Sequence, residues 1–420
     1  MRPLRIALLH YTAPPVVGGV ERVLLGQARA LAEAGHEVRL LTGRGGPSAG
    51  RQLRGGPSVV RLPRIDPRHR DVVAVQRALG AGRVPATFEP LVERLADDLR
   101  GAVREIDVLL AHNVCSLDLN LALTTALRRV SSESTFPPLV AWHHDLAWAM
   151  PRYRARLHDG APWDLLRSAW PGVWTVTISE ARRSAWLALT GGDADDIVVV
   201  PNGVERDPWA AIDPRTRRIL GEPGLPPSAI LLLAPVRITP RKNLGYAIRV
   251  VAAARRRGHD VHLVVSGPPD PHDRGATAHL SELRRLAEDL QVGEAVCFAG
   301  APPGRAPSDR VMRDLFLLAD AILLTSIDEG FGLPLLEAAA ARLPIFCADL
   351  PVLREITGRE ATFLAPDVEP DRAADVIVRE LGRDRAHVLA TRLRTSHGWP
   401  AVYARHIEPL LVRVVSARPA

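Results

Sequence analysis

Glu329 and Glu337 stand eight positions apart in the stretch SIDEGFGLPLLEA, residues 326–338, with Gly330, Phe331, Gly332 and Leu333 between them. Glycine lets a ligand approach the backbone closely, and N–H groups ahead of a helix have no helical partner. Pro334 suits a first helical position, so the pattern predicts a helix whose first turn Glu337 completes. Two carboxylate acceptors flanking a row of amide donors suit a polyhydroxylated ligand that carries an anion. The same residues also spell an ordinary helix start with an acidic first turn. What favours a ligand is position: Ala319–Leu324 reads as a short buried strand ending at this loop, and open α/β sheets bind ligands at the carboxyl ends of strands.

Other strand ends carry comparable groups. The apolar run Ile230–Val236 ends at Arg237, and RITPRKN places Lys242 just before a predicted helix. A fixed guanidinium fork and a flexible ammonium can together grip a diphosphate. Two solvated loop residues are the plainer reading, but Lys242 is the sole lysine among 54 basic side chains, which suggests a local requirement. Gly18 and Gly19 precede a predicted helix, where free N–H groups favour a phosphate; the Gly-x-Gly-x-x-Gly spacing of dinucleotide dehydrogenases is missing. Asp107–Ala111 ends at His112 and Asn113, and Leu139–Trp142 ends at His143, His144 and Asp145. A lone histidine at a strand end is commonly structural; two strand ends delivering titratable groups are harder to dismiss.

An acidic residue, Gly-Phe-Gly-Leu-Pro and a second Glu eight positions after the first resemble the paired-glutamate signature of retaining, nucleotide-sugar-dependent glycosyltransferases of family 4, which have the GT-B architecture. The resemblance implies that Glu329 contacts donor-sugar hydroxyls and Glu337 the nucleotide ribose. It further implies that the Gly18-Gly19 loop lies against the donor diphosphate, that Arg237 and Lys242 neutralise it, and that Phe298–Gly300 runs near the base. His144-Asp145 is similar to the family's His-Asp beside the donor sugar and reaction centre. The doubled histidine departs from that pattern and leaves the register between His143 and His144 open, with His144 preferred. The implied catalytic set is His144, Arg237, Lys242 and Glu329, with Gly330, Phe331, Gly332, Leu333 and Glu337 also on the donor, and His112, Asn113, His143 and Asp145 on the acceptor side. The donor is a UDP-, GDP- or ADP-sugar, and neither cofactor nor metal is expected. The acceptor hydroxyl belongs to a small glycerate or glycoside, a lipid-linked sugar or a natural product. A sugar-nucleotide epimerase of the same architecture and a non-catalytic nucleotide-sugar-binding protein are the alternatives.

The elements that must position these groups follow from the rest of the chain. At 420 residues, 47% hydrophobic and 24% charged, the composition is that of a globular protein of two or three domains. No apolar run approaches the roughly 20 residues needed to span a bilayer, and MRPLRIALLH reads as a strand rather than a signal peptide, so a cytoplasmic protein is expected. Cys115, Cys297 and Cys347 lack metal-ligand spacing and read as core thiols. The formal charge of +7 comes without aromatic-studded basic elements or zinc spacing, so nucleic acid is not an expected partner. A basic face leaves open peripheral contact with a membrane.

Strands alternating with amphipathic helices predict α/β architecture with doubly wound parallel sheets, and the family resemblance implies GT-B, two Rossmann-like domains facing a cleft. The expected boundaries are 1–205 for an acceptor-side domain, 206–395 for a nucleotide-sugar-binding domain, and 396–420 for a helix returning to the first. Residues 43–84 are expected to be loops with a short strand at Ser58–Leu62, and Pro201–Pro227 a linker.

Overall fold

The computed structural model describes residues 2–45, 57–204, 212–221, 225–270, 275–301, 306–365 and 368–417. The chain divides into two compact units: unit 1 is Met1–Glu205 with Ser396–Ala420, and unit 2 is Arg206–Thr395.

Unit 1 is built on β1 (Arg5–Thr12), β2 (Glu37–Arg44), β3 (Ser58–Arg61), β4 (Val108–His112), β5 (Leu139–His143), β6 (Trp174–Thr177) and β7 (Ile197–Val199), in the order β3-β2-β1-β4-β5-β6-β7. Every pairing is parallel, with Leu8 opposite Leu110 and His112 opposite Trp142. Parallel strands covered on both faces need apolar side chains at successive positions, and β4 and β5 are buried throughout. Period-two alternation then sorts them: Ala7, Leu9 and Leu109 face the helix Phe88–Ala102, while Ile6, Leu8 and Leu110 face the helix Gly19–Glu33.

That second face is completed from the far end of the chain. Trp399, Val402, Leu410, Leu411 and Val414 join the same core. Trp399 fits because two neighbours lack side chains: a Cβ on Gly26 would stand 2.1 Å from its Nε1, and one on Gly203 2.3 Å from its Cδ2. His36 Nε2 and the Tyr403 hydroxyl are 2.8 Å apart on the same face.

Unit 2 contains β8 (Ile230–Ala234), β9 (Val261–Val265), β10 (Val296–Phe298), β11 (Ala321–Leu324), β12 (Ile345–Ala348) and β13 (Thr362–Leu364), all parallel, in the order β10-β9-β8-β11-β12-β13. Its order reverses between β8 and β11, whose connections leave to opposite sides, and there an open α/β sheet forms a ligand crevice.

Two local expectations are corrected, and one helix had no expectation set for it. Within 43–84 a helix spans Arg70–Gly80, burying Val72, Val75 and Leu79 on one face; residues 46–56 lie outside the described residues. Within 201–227 a helix spans Pro214–Leu220 because Pro214 takes its first turn and Asp213 accepts the Arg215 N–H at 2.8 Å, so punctuation that suggested a linker is a helix start. A helix at Arg385–His397 buries none of its residues; Asp320 holds it instead, 3.1 Å from Arg394 and 3.2 Å from His387.

Candidate active site

In unit 2 two loops meet. The strand β8 ends at Ala234, and a 3-10 turn at Pro240–Lys242 leads through Asn243, in the left-handed region at φ 48°, into the helix Leu244–Arg256. The strand β11 ends at Leu324 and opens the glutamate loop. The Thr325 hydroxyl donates to the carbonyls of Lys242 and Asn243, both at 3.0 Å, and the Ile327 N–H donates to the Arg241 carbonyl at 2.9 Å. Stitched this way, Lys242 reaches the Glu329 carboxylate and forms a short charge-assisted contact with Oε1. Ser326 donates to the same oxygen at 2.7 Å, and Arg241 lies 3.7 Å from Oε2. Asn243, Thr325 and Ser326 also line a cavity of about 90 Å³ with Tyr246 and Leu350, so the junction is not packed shut.

The other residues expected here are placed less tightly. Arg237 is exposed and 3.8 Å from Asp270, so each of the two cations has its own carboxylate. The helix after the glutamate loop starts one residue earlier than expected, at Leu333, with Pro334 second. Gly332 takes φ 98°, a region glycine occupies without strain, and its carbonyl accepts the Leu335 N–H at 2.9 Å. Glu337 therefore lies in the second turn, exposed, and the first turn holds no acidic residue. Gly330 has open space around it, and Phe331 and Leu333 are exposed. At the neighbouring strand ends, a Cβ on Gly267 would meet the Val236 carbonyl at 2.2 Å and one on Gly300 the Gly267 backbone at 2.5 Å, so the ends of β8, β9 and β10 are drawn together by glycine.

Unit 1 carries a second polar cluster. The face of β1 that begins with Ile6 and Leu8 ends in His10 and Thr12, beside His112 at the end of β4. Gly18 caps the helix Gly19–Glu33 in extended conformation. Its lack of a side chain serves Glu21, whose Oε2 would stand 2.0 Å from a Cβ there. Glu21 turns inward, accepts from the Thr12 hydroxyl at 2.5 Å and lies 4.0 Å from His10 Nε2. Gly19 faces open space. The sequence reading missed Thr12 and Glu21; the signal was a Gly-x-x-Glu spacing of capping-box type.

The doubled histidine separates cleanly. His143 is buried, stacked on Trp186 at 4.3 Å, and among the described residues neither ring nitrogen has a partner. His144 turns to β4, where its Nε2 lies 3.0 Å from His112 Nδ1. Asn113, at φ 61°, accepts the N–H groups of His144 and Asp145 at 2.8 and 3.1 Å. Asp145 lies 3.6 Å from Arg152 and 3.9 Å from Arg182. Burial pushes His143 and His144 down to about 3, the latter helped by the nearby His10 and His143. Burial pushes His112 well below the ordinary histidine value.

Two parallel-sheet α/β units are the make-up of the GT-B fold. The comparison with known families agrees: residues 17–207 match the Glycosyltransferase Family 4 model and residues 217–387 the Glycosyl transferases group 1 model, and the chain belongs to this family. Among relatives, a GDP-mannose-dependent alpha-(1-6)-phosphatidylinositol monomannoside mannosyltransferase of Mycobacterium tuberculosis is 28% identical over 63% of this chain and 66% of that protein. A D-inositol 3-phosphate glycosyltransferase of Kineococcus radiotolerans is 30% identical over 56% of this chain and 55% of that protein. A mannosylglucosylglycerate synthase of Thermotoga maritima is 25% identical over 84% of this chain and 82% of that protein. The first two matches thus span under two thirds of the relatives' lengths.

Proposed function

We propose that this protein moves a hexose from a nucleotide-diphosphate sugar to an acceptor hydroxyl with retention of anomeric configuration. The observation that carries the reading is the Lys242–Glu329 pair, buried at the junction of two strand-end loops in unit 2. A sugar nucleotide needs both halves of that pair, a cation for its diphosphate and an acceptor for its sugar hydroxyls. When the donor binds, the ammonium turns to the phosphate and the carboxylate is released to the sugar. Each group is thus held ready by the other beforehand, and little reorganisation is left for the reaction. Arg237 supplies a second, exposed cation that Asp270 gives up. The open backbone from Gly330 to Leu333 adds N–H donors and Glu337 takes the ribose, while Gly19 and His144 keep the roles that the family resemblance implies.

As the bond from C1 to the diphosphate breaks, negative charge grows on phosphate oxygens that these groups face. A phosphate oxygen of the leaving diphosphate takes the acceptor proton on the same face, so no protein nucleophile is required. Product with inverted configuration, read by NMR at the new linkage, would reject this route. Thermal-shift screening of GDP-mannose, UDP-glucose and ADP-glucose should show one clear stabilisation by mass action. GDP-mannose is the first to try, because two of the relatives are named for mannosyl products. A chain unmoved by every donor would reject the reading.

The positive side chains do the work of a divalent ion in this scheme. Transfer in excess EDTA is therefore expected at the untreated rate, and a loss restored by Mg²⁺ would contradict it. Glu337→Ala is expected to weaken nucleoside-diphosphate binding about tenfold, the worth of one charged hydrogen bond, as read by calorimetry; unchanged affinity would remove Glu337 from the ribose. Among the described residues no helix is long and apolar enough to cross a membrane. Salt-sensitive association with anionic vesicles would favour a lipid acceptor over a glycerate or glycoside.

A further inference from the structure

The geometry points to His112 as a positioning residue that fixes His144 in the tautomer with its proton on Nδ1. His112 was expected on the acceptor side, but it is fully buried at the end of β4 and touches no open space. Its ring lies flat on Trp142, 5.2 Å between centroids, and its Nδ1 is 3.0 Å from His144 Nε2. Its backbone carbonyl accepts from His10 Nδ1 at 2.9 Å, which ties β4 to β1 at this point. Asn113 holds the main chain of His144, so the end of β4 clamps both the ring and the backbone of that residue.

Both rings are neutral near pH 7, since burial disfavours their protonated forms. Each therefore carries one N–H, and the bond between them can run in only two directions. If His144 Nε2–H donated, His112 would accept at Nδ1 and carry its own proton on Nε2, a buried atom without a partner among the described residues. If His112 Nδ1–H donates, that Nε2 is left with only a lone pair. A buried donor without an acceptor is the costlier of the two, and native structures avoid it more strictly than an unused lone pair. His144 is then the acceptor at Nε2 and must hold its proton on Nδ1, which takes part in no hydrogen bond among the described residues. The ring thus presents an N–H donor, suited to a hydroxyl or phosphate oxygen and unsuited to taking a proton.

The consequence for transfer rests on the proposed placement of His144 at the donor sugar; the tautomer itself does not. The test labels the full chain with ¹⁵N-histidine and reads the long-range proton couplings of His144, assigned by their loss in His144→Gln. Wild type is expected to show His144 protonated on Nδ1. His112→Leu, which cannot donate, should move it toward the Nε2–H form. His112→Asn, whose side-chain amide can donate from nearly the same place, should restore the wild-type pattern. With the activating donor, His112→Leu should lower kcat by roughly 10-fold to 100-fold, as loss of a ligand-orienting partner does, while nucleoside-diphosphate affinity stays the same and His112→Asn recovers most of the rate. An Nε2–H His144 in wild type, or a tautomer indifferent to His112→Leu, overturns the proposal, as does a shifted tautomer with unchanged kcat. If His112→Leu does not fold, the wild-type spectrum and His112→Asn still decide. A chain inactive with every donor would sink the transferase reading and leave the tautomer result standing.

Discussion

A Lys242→Ala chain is expected to unfold unit 2 at markedly lower denaturant and to lose most of its transfer activity. The Lys242 and Glu329 side chains are only 8% and 7% exposed. Removing the ammonium leaves a buried carboxylate with one hydroxyl and a guanidinium 3.7 Å away that is itself half in solvent. Breaking a buried pair from one side costs about 3–5 kcal/mol, most of it the stranded charge. On turnover, losing one preorganised donor to the charge that grows in the transition state costs on the order of 100-fold to 1000-fold. The two losses come apart in the double variant K242M/E329Q. Neutral residues of similar volume remove the stranded charge, so stability should largely return, whereas activity should not. Denaturation curves and steady-state rates on the three chains decide the matter. A double variant as active as wild type would make the pair scaffolding alone, and the proposed function would lose its main support.

That pair marks the limit of what the chain's pattern discloses. The parallel strands were legible because strands buried on both faces must be apolar at nearly every position, as Val108–Ala111 and Ile230–Ala234 are. The residues at their ends were legible for the same reason: Arg237, His112 and His144 interrupt apolar runs where an α/β crevice opens. Contacts across long separations were not. Lys242 and Glu329 lie 87 positions apart, and each alone resembles a solvated loop residue. The helix Arg70–Gly80 does carry helical spacing in Val72, Val75 and Leu79, but the Arg, Gly and Pro richness of the surrounding 43–84 stretch outweighed it. The helix Arg385–His397 was hidden because it is held by ion pairs to Asp320 rather than by an apolar face. The choice between His143 and His144 also needed coordinates, because adjacent residues at a strand end turn to opposite faces and only the packing of Trp186 shows which face is dry.

Between pH 7 and pH 5, unit 1 is expected to lose stability while unit 2 largely holds. His10, His112, His143 and His144 are all buried in unit 1, and burial lowers each of them, offset in part at His10 by the His112 carbonyl and the Glu21 charge. An unfolded chain takes up protons on these rings near pH 6.5, while the folded chain takes them up only at lower pH, far lower at His112, His143 and His144. Their contribution is therefore complete above about pH 6.5 and is lost as pH falls toward the folded values, at about 1.4 kcal/mol per pH unit for each ring. Among the described residues of unit 2, only the partly buried His262 is lowered in this way. The buried Asp320 behaves differently: burial raises it, but hydrogen bonds from His387 and the Leu231 N–H, with the charge of Arg394, leave it below the ordinary carboxylate value. Its contribution disappears only below about pH 4. One substitution isolates the effect. His143→Phe keeps the stack on Trp186 and forfeits no hydrogen bond to any described residue, since neither ring nitrogen makes one there. At pH 5 it should leave unit 1 about 2 kcal/mol more stable than wild type, with a shallower acid slope, because one proton-binding site has gone from the unfolded state. It should also turn over donor at the wild-type rate, since the nitrogens it removes face only core. Hydrogen exchange across both units at pH 7 and pH 5 resolves which unit opens. Equal slopes for wild type and His143→Phe would mean that His143 titrates normally, and that the dry face under β5 is reached by water.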